Sequence, residues 1–595
     1  MYLKTLIQCI LNRLAIIIIF LLPMFNFSQD FSEFWEGHFS YLDIIEIIGA
    51  NDKVYAASEN AIFSYDSSTN QIETITTVNG LSGELITTIH YSINYQLLLI
   101  GYQNGLIEVF KESDNDILKV IDIVNKTTIP PNNKSINHFN EHNGLVYIAT
   151  DYGVSTYDLD NLEFGDTYYL GLNGSQARVN QTVIKSNVIY ANCGGNEGIK
   201  SASVSNPNLI DFQQWTTIVT GNFVNLILYD TNIIVTSSNA VTSKINIDNS
   251  LTQLFVSSST PQDLYFSDAY LIETLSTKVN FYDANFNLVH TIIPTTEFPA
   301  SYSCTITFGN NIFIGTSGDT TTGRLGLGVL KTTLINSDIF EEIHPDGPLL
   351  NTPFSLELKN HDLWLTFGGY GLSFDWNGGQ RFSGISRYRQ NEWLNIPYDS
   401  ISSKVVSPDF LSHIAVNPFD TEQVFVSSYY SGLIEINSEE ISGIYNENNS
   451  TLKPFIPERY LTSTSKFDDN GVLWVANGRV QKPLNKFENN QWTSYDFSSI
   501  ISDPMSDENG FSEIVIGPDG TKWIGGLKKG LIGFNENGTV LKNINDEDIA
   551  NLPSTAVKAL ALDKNNVLWI GTYKGLRVLY NTSSFFTEEV VRTEP

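Results

Sequence analysis

The sequence predicts an all-β chain arranged as two β-propellers in tandem, and three observations carry that prediction. A motif recurs: a turn, three to five apolar or aromatic residues, Gly-Thr or Ala-Thr, a second turn and Gly-Leu. Its copies start mostly about 40 to 50 residues apart, the length of four short strands with their turns, which is one propeller blade. The chain also carries 35 Phe, 28 Tyr and 9 Trp, an aromatic load that favours strands. Helical patterning is confined to 545–552. A β-solenoid is the competing architecture, but its rungs are shorter than this period.

In chain order, the first element is a leader. Lys4 and Arg13 mark a basic stretch, and 14–27 reads LAIIIIFLLPMFNF. That is the shape of a secretory signal peptide over 1–28 and is short for a membrane span. The first seven motif copies begin near Val54, Leu97, Leu145, Val188, Ile233, Tyr270 and Ile312. They predict a closed seven-bladed propeller over 29–330. Residues 331–353 contain three prolines and read as a connection. Five further copies start near Leu363, Val424, Leu473, Thr521 and Val567, placing a second propeller at 354–595. Asp469-Asn470-Gly471, Asp519-Gly520 and Asn565-Asn566 precede the last three of these strands, and such residues accept the positive φ of tight hairpins. The apolar residue or Trp after each turn is suited to packing between sheets. In the last copy, Leu568, Ile570 and Leu576 are expected on an uncovered face.

The charge balance and the residue inventory exclude several functions. Thirty-four Lys plus Arg stand against 65 Asp plus Glu, a net charge of −31, which argues against a nucleic-acid partner. Of three cysteines, Cys9 lies in the leader, and Cys193 and Cys304 are expected as free thiols in separate blades. No Gly-x-Ser-x-Gly elbow, phosphate-binding P-loop or His-Glu-x-x-His stretch occurs, so no catalytic residue, cofactor or metal is assigned and no enzyme is expected. His138 and His142 have helical metal spacing but read as a solvated turn, and Asp468–Gly471 reads as a hairpin rather than a calcium loop. Gly194–Gly198 follows a strand without a helix after it, so it reads as no phosphate cradle. The segment 378–393 is the candidate ligand site. It gathers Arg381, Arg387 and Arg389 beside Tyr388 and Trp393 in an acidic chain. Guanidinium forks suit phosphate or carboxylate, and aromatic rings suit sugar faces. The plainer alternative is a strand over 385–388 with solvated arginines.

Family resemblance rests on an ordered set of residues: Trp35–Tyr41, Val54–Ser58, Ile62–Asp66, Val78–Ser82 and Asp166–Gly171. Together they resemble the N-terminal half of the PorZ family, accessory proteins of the type IX secretion system of Bacteroidetes. The later Trp-Ile-Gly-Thr…Gly-Leu copies are similar to propeller repeats of two-component regulators. The resemblance implies two seven-bladed propellers and a C-terminal sorting β-sandwich. It further implies a cell-surface role within an attachment complex, binding anionic lipopolysaccharide and passing it to a sortase. Against that pattern the second propeller is expected to be of seven-bladed type cut to about five blades, an open arc without the sorting sandwich. A polysaccharide-sensing region of a hybrid histidine kinase is the alternative function.

Overall fold

The computed structural model describes residues 35–267, 269–319, 321–370, 381–506 and 510–595. The leader expected over 1–28 lies outside the described residues.

Twelve antiparallel sheets follow one another along the chain. Each is made of consecutive strands, and we number them as blades 1–12: 46–75, 86–120, 136–168, 179–219, 223–256, 263–292, 301–343, 355–396, 411–445, 462–495, 511–544 and 557–579. All have four strands except blade 12, which has three. Every one of the twelve motif copies forms the second strand of its blade, from Lys53–Ala57 in blade 1 to Leu568–Thr572 in blade 12. The turns also fall as their residues require: Gly471, Gly520 and Asn566 close first-to-second-strand hairpins at φ 78°, 80° and 62°. Residues 545–552 contain one helical turn, Glu547–Ala550, whose Asp546 side chain accepts from Ile549 N at 2.8 Å.

In blades 1–7 the first strands touch in a cycle, blade 1 meeting blade 2 on one side and blade 7 on the other. They therefore enclose an axis, and the first ring is closed. Blades 8–12 pack in the same serial order through their first strands. A repeated device joins neighbours. Most inner strands carry a bulge that inserts one extra residue, and a bulge re-aims the side chain it frees. Here that side chain bonds the next blade: Thr87 Oγ1 donates to Ile136 O at 2.6 Å, Asn137 Nδ2 to Val179 O at 2.9 Å and Asn180 Nδ2 to Phe223 O at 3.2 Å. The second ring repeats it through Ser412 to Ser463 O and Ser512 to Val557 O.

Residues 38–44 form a strap that belongs to no blade. Ile44 N donates to Thr316 O and Gly328 N to Leu42 O, both at 2.8 Å, fastening the entry of blade 1 to blade 7. Further back, Ser40 Oγ donates to Leu349 O at 2.9 Å, in the segment leading to the second ring.

Blade 7 extends beyond the expected boundary. Its third strand is Val329–Thr332 and its fourth, Glu341–Ile343, pairs with it. Half of the stretch read as a connection is thus blade, because a three-residue Glu-Glu-Ile strand is too short to show alternation. Cys193 and Cys304 are free and buried in blades 4 and 7. His138 is not in a solvated turn. It lies on Ile136–His142, the inner strand of blade 3. Of the residues expected on an uncovered last face, Leu568 and Ile570 are buried against blade 11, and only Leu576 is exposed. The face had been assigned with the wrong parity.

Candidate functional site

Strand alternation decides what the arginine segment becomes. Ile385–Arg389 is the third strand of blade 8, and successive side chains of a strand leave on opposite faces. Arg387 and Arg389 therefore share one face, while Tyr388 takes the other. Arg387 is 1% exposed and lies with its guanidinium carbon 4.8 Å from the Trp364 ring centre. Its Nη2 donates to Asp362 Oδ2 at 2.6 Å and its Nη1 to Glu422 Oε2 at 2.9 Å, with Glu439 beyond at 3.5 Å. Burial alone would lower its pKa, but hydrogen bonds to Glu422 and Asp362 outweigh it and hold the charge. The Arg387 hydrogen bond in turn holds Glu422 down at about 2. Arg389 pairs with Glu422 and, at 3.4 Å, with Asp362. Arg381 sits apart, its Nε donating to Asp409 Oδ2 at 3.0 Å.

Tyr388 and Trp393 face the strap. His38 lies 4.6 Å from the Tyr388 ring and 5.4 Å from the Trp393 ring, and Trp393 Nε1 donates to His38 Nδ1 at 3.2 Å. Trp393 N also donates to Asp346 Oδ2 at 2.8 Å. These two aromatics fasten blade 8 to the segments arriving from the first ring. Four of the five candidate residues are thus divided between a carboxylate network and an inter-ring joint, and Arg381 stands apart on Asp409. Arg387 is not solvated, contrary to the plainer alternative, and it has no free face for a ligand. Arg381 and Arg389 keep 51% and 38% of their side chains exposed. Sequence reading missed Asp362, Glu422 and His38, which arrive from another strand, another blade and the strap. The only sequence signal was the general acidic excess.

The inner strands of the first ring hold a second polar set. Glu46 of blade 1 accepts from Ile89 N of blade 2 at 2.7 Å, and Gln181 of blade 4 accepts from Leu226 N of blade 5 at 2.6 Å. Burial pushes Glu46 up to about 7 and Asp263 up to about 6, and it presses His138 down to about 4. Glu46 and Gln181 stitch neighbouring blades together, whereas His138 Nδ1 is buried without a hydrogen-bond partner among the described residues. Burial also pushes Cys193 up to about 12 and Cys304 higher, so neither thiol is primed as a nucleophile. Among the described residues no group of three or more His, Cys, Asp or Glu could hold a metal ion. No helix among them is long and apolar enough to cross a membrane.

Comparison with known proteins agrees with this architecture. Residues 54–216, blades 1 to 4, match the family model described as TSS9, PorZ, N-terminal beta-propeller domain. PorZ of Porphyromonas gingivalis, described as an essential bacterial surface component of the type IX secretion system, superposes with a TM-score of 0.77. The alignment covers 94% of this chain and 74% of that one at 19% identity. The chain is PorZ-like. Its residues 551–574, at blade 12, match the two-component regulator propeller repeat. The extracellular domain of a proposed hybrid two-component system from B. thetaiotaomicron aligns over 91% of this PorZ-like chain and 76% of its own. There the identity is 14% and the TM-score 0.37. No curated protein matches the sequence.

Proposed function

We propose that the chain is a non-enzymatic accessory component of a type IX secretion system, acting at the cell surface. There it binds anionic lipopolysaccharide and presents it to the sortase of an attachment complex. The observation that carries the reading is the match of 54–216, within the first propeller, to the PorZ N-terminal propeller model, set in a two-ring fold that follows PorZ over 94% of this chain. A leader over 1–28 fits the same route.

Of the five candidate residues, Arg381 and Arg389 could reach such a ligand, because their side chains stay partly exposed, Arg381 on Asp409 and Arg389 on the Asp362–Glu422 network. With a net charge of −31, long-range attraction cannot gather a polyanion. Binding would rest on short-range forks and fall with salt.

The test is deletion of the gene in a host with an active type IX system. Secreted cargo should lose its surface attachment and regain it when the intact gene is returned. Cargo attached normally in the deletion strain would refute the secretion role. Loss of attachment together with unchanged lipopolysaccharide binding by the Arg381→Gln/Arg389→Gln chain would refute only the arginine site.

A further inference from the structure

A concavity of about 930 Å³ opens between blades 6 and 7 of the first ring. Its cause is a mismatch of hairpin length. The first two strands of blade 7, Ser301–Phe308 and Asn311–Ser317, have eight and seven residues, whereas those of blade 6, Asp263–Phe266 and Leu271–Leu275, have four and five. The taller hairpin rises past its neighbour and leaves one wall standing over the shorter blade. Phe266 and Tyr270 come from the blade 6 turn, and Asn310 and Asn311 from the tip of the blade 7 hairpin. Ile335 and Asn336 come from the loop between the third and fourth strands of blade 7.

Three properties of this lining select a ligand class. None of its described residues is charged, although the chain carries 65 acidic residues. Among the described lining residues an anion finds no guanidinium or ammonium. Phe266, stacked on Tyr265, and Ile335 remain 48% and 93% exposed, so they offer flat or rounded apolar surface. The Asn310, Asn311 and Asn336 side-chain amides make no hydrogen bond to other described residues, leaving paired donors and acceptors free. Apolar surface with a few convergent neutral polar groups, at this volume, is the make-up of a small-ligand site. A peptide partner would favour an unpaired strand edge, and this wall is built of closed turns.

We propose that the blade 6–7 cleft binds a neutral saccharide, its apolar ring faces on Phe266 and Ile335 and its hydroxyls on the three asparagine amides. This inference does not rest on the secretion role, and it uses none of the arginine-segment residues.

The mature chain would be applied to an array of neutral and anionic oligosaccharides, and the strongest neutral member then titrated by calorimetry. Saturable binding is expected, changing by less than about twofold between 50 and 500 mM salt, since no ionic contact is involved. Phe266→Ala, and separately Asn310→Ala/Asn336→Ala, should each weaken it about tenfold, with thermal unfolding unchanged. Capture of anionic members only, capture of none, or affinity untouched by both variants would each overturn the proposal.

Discussion

In the first ring, Ile44 of the strap and Ile47 of blade 1 are buried in one cluster with Cys304, Ile306 and Phe313 of blade 7. In the second, Leu356 and Leu358 on the inner strand of blade 8 are exposed, as are Tyr573, Leu576 and Tyr580 at blade 12. The same repeat therefore meets itself in one case and stops short in the other. Four tryptophans at the same place in their blades measure the difference. Trp364, Trp474 and Trp523 are 0%, 0% and 1% exposed, each covered by the following blade, whereas Trp569 of blade 12 is 41% exposed. A blade in this fold is complete only when its neighbour is present, because each sheet face supplies half of a shared core.

Limited proteolysis should divide the two rings most sharply. We expect a resistant fragment covering blades 1–7, with early cuts beyond Leu363; equal survival of both halves would abolish the distinction. Next in size is the tryptophan pair. Trp474→Ala should cost about 3–5 kcal/mol in the unfolding of the second ring, while Trp569→Ala should cost a small fraction of that. Comparable losses in the two variants, read from denaturant midpoints, would mean that blade 12 is covered in solution.

Arg387→Ala should be nearly as damaging, on the order of 3 kcal/mol, because it leaves the buried Asp362 carboxylate only the longer Arg389 contact. The depressed Glu422 adds a pH signature. Its pairing stabilises the fold above the ordinary glutamate range, and that support is lost as pH falls towards about 2. The variant's acid unfolding should therefore begin from a lower plateau and fall less steeply between pH 4.5 and 2. A parallel acid limb would count against the network.

Glu46→Gln probes the closed ring alone. A carboxyl raised to about 7 by burial costs nothing while protonated, and its penalty grows as pH rises from about 4.5 to 7. The amide can still accept from Ile89 N. The first ring of the variant should then melt higher at pH 8, by at most about 3 kcal/mol, and match wild type at pH 4. A stability gap independent of pH would refute the assignment. Smallest of all, Ser512→Ala removes one blade-to-blade hydrogen bond and should cost about 1 kcal/mol, seen in the second ring's midpoint only.

What the sequence made legible was whatever is written locally. Alternation, turn residues and period placed all twelve second strands, and Asp546 announced the helical turn at Glu547–Ala550, whereas helical turns at Asp122–Asn125 and Tyr398–Ser402 went unread. What it hid depends on partners distant in the chain. Nothing near Arg387 foretold that Glu422 would reach it from blade 9, or that His38 would sit between Tyr388 and Trp393. His138 was misread because the polar residues around it suit a turn, yet they lie on an inner strand whose Asn137 bonds across to blade 4. The last strand of blade 7 escaped notice because Glu341–Ile343 is held by its pairing with Val329–Thr332 and not by any pattern of its own. Site geometry suffered most, since strand parity divided a cluster that looked continuous in one dimension.

The strap also fixes when the molecule can finish folding. Leu42 and Asp43 bond partners 274 and 275 residues further on, and Ser40 reaches across 309. A chain emerging from its amino end can build blades 1–6 one after another, each on the last, yet the first of them keeps an open side until residue 328 has appeared. Contacts so far apart are slow to form, so completion of the ring is a late, all-at-once event. Chains halted at 292 should be protease-sensitive throughout, and chains halted at 351 resistant from the strap onward. An exported chain would then cross the membrane without a finished ring and acquire its durability only after blade 7 has arrived.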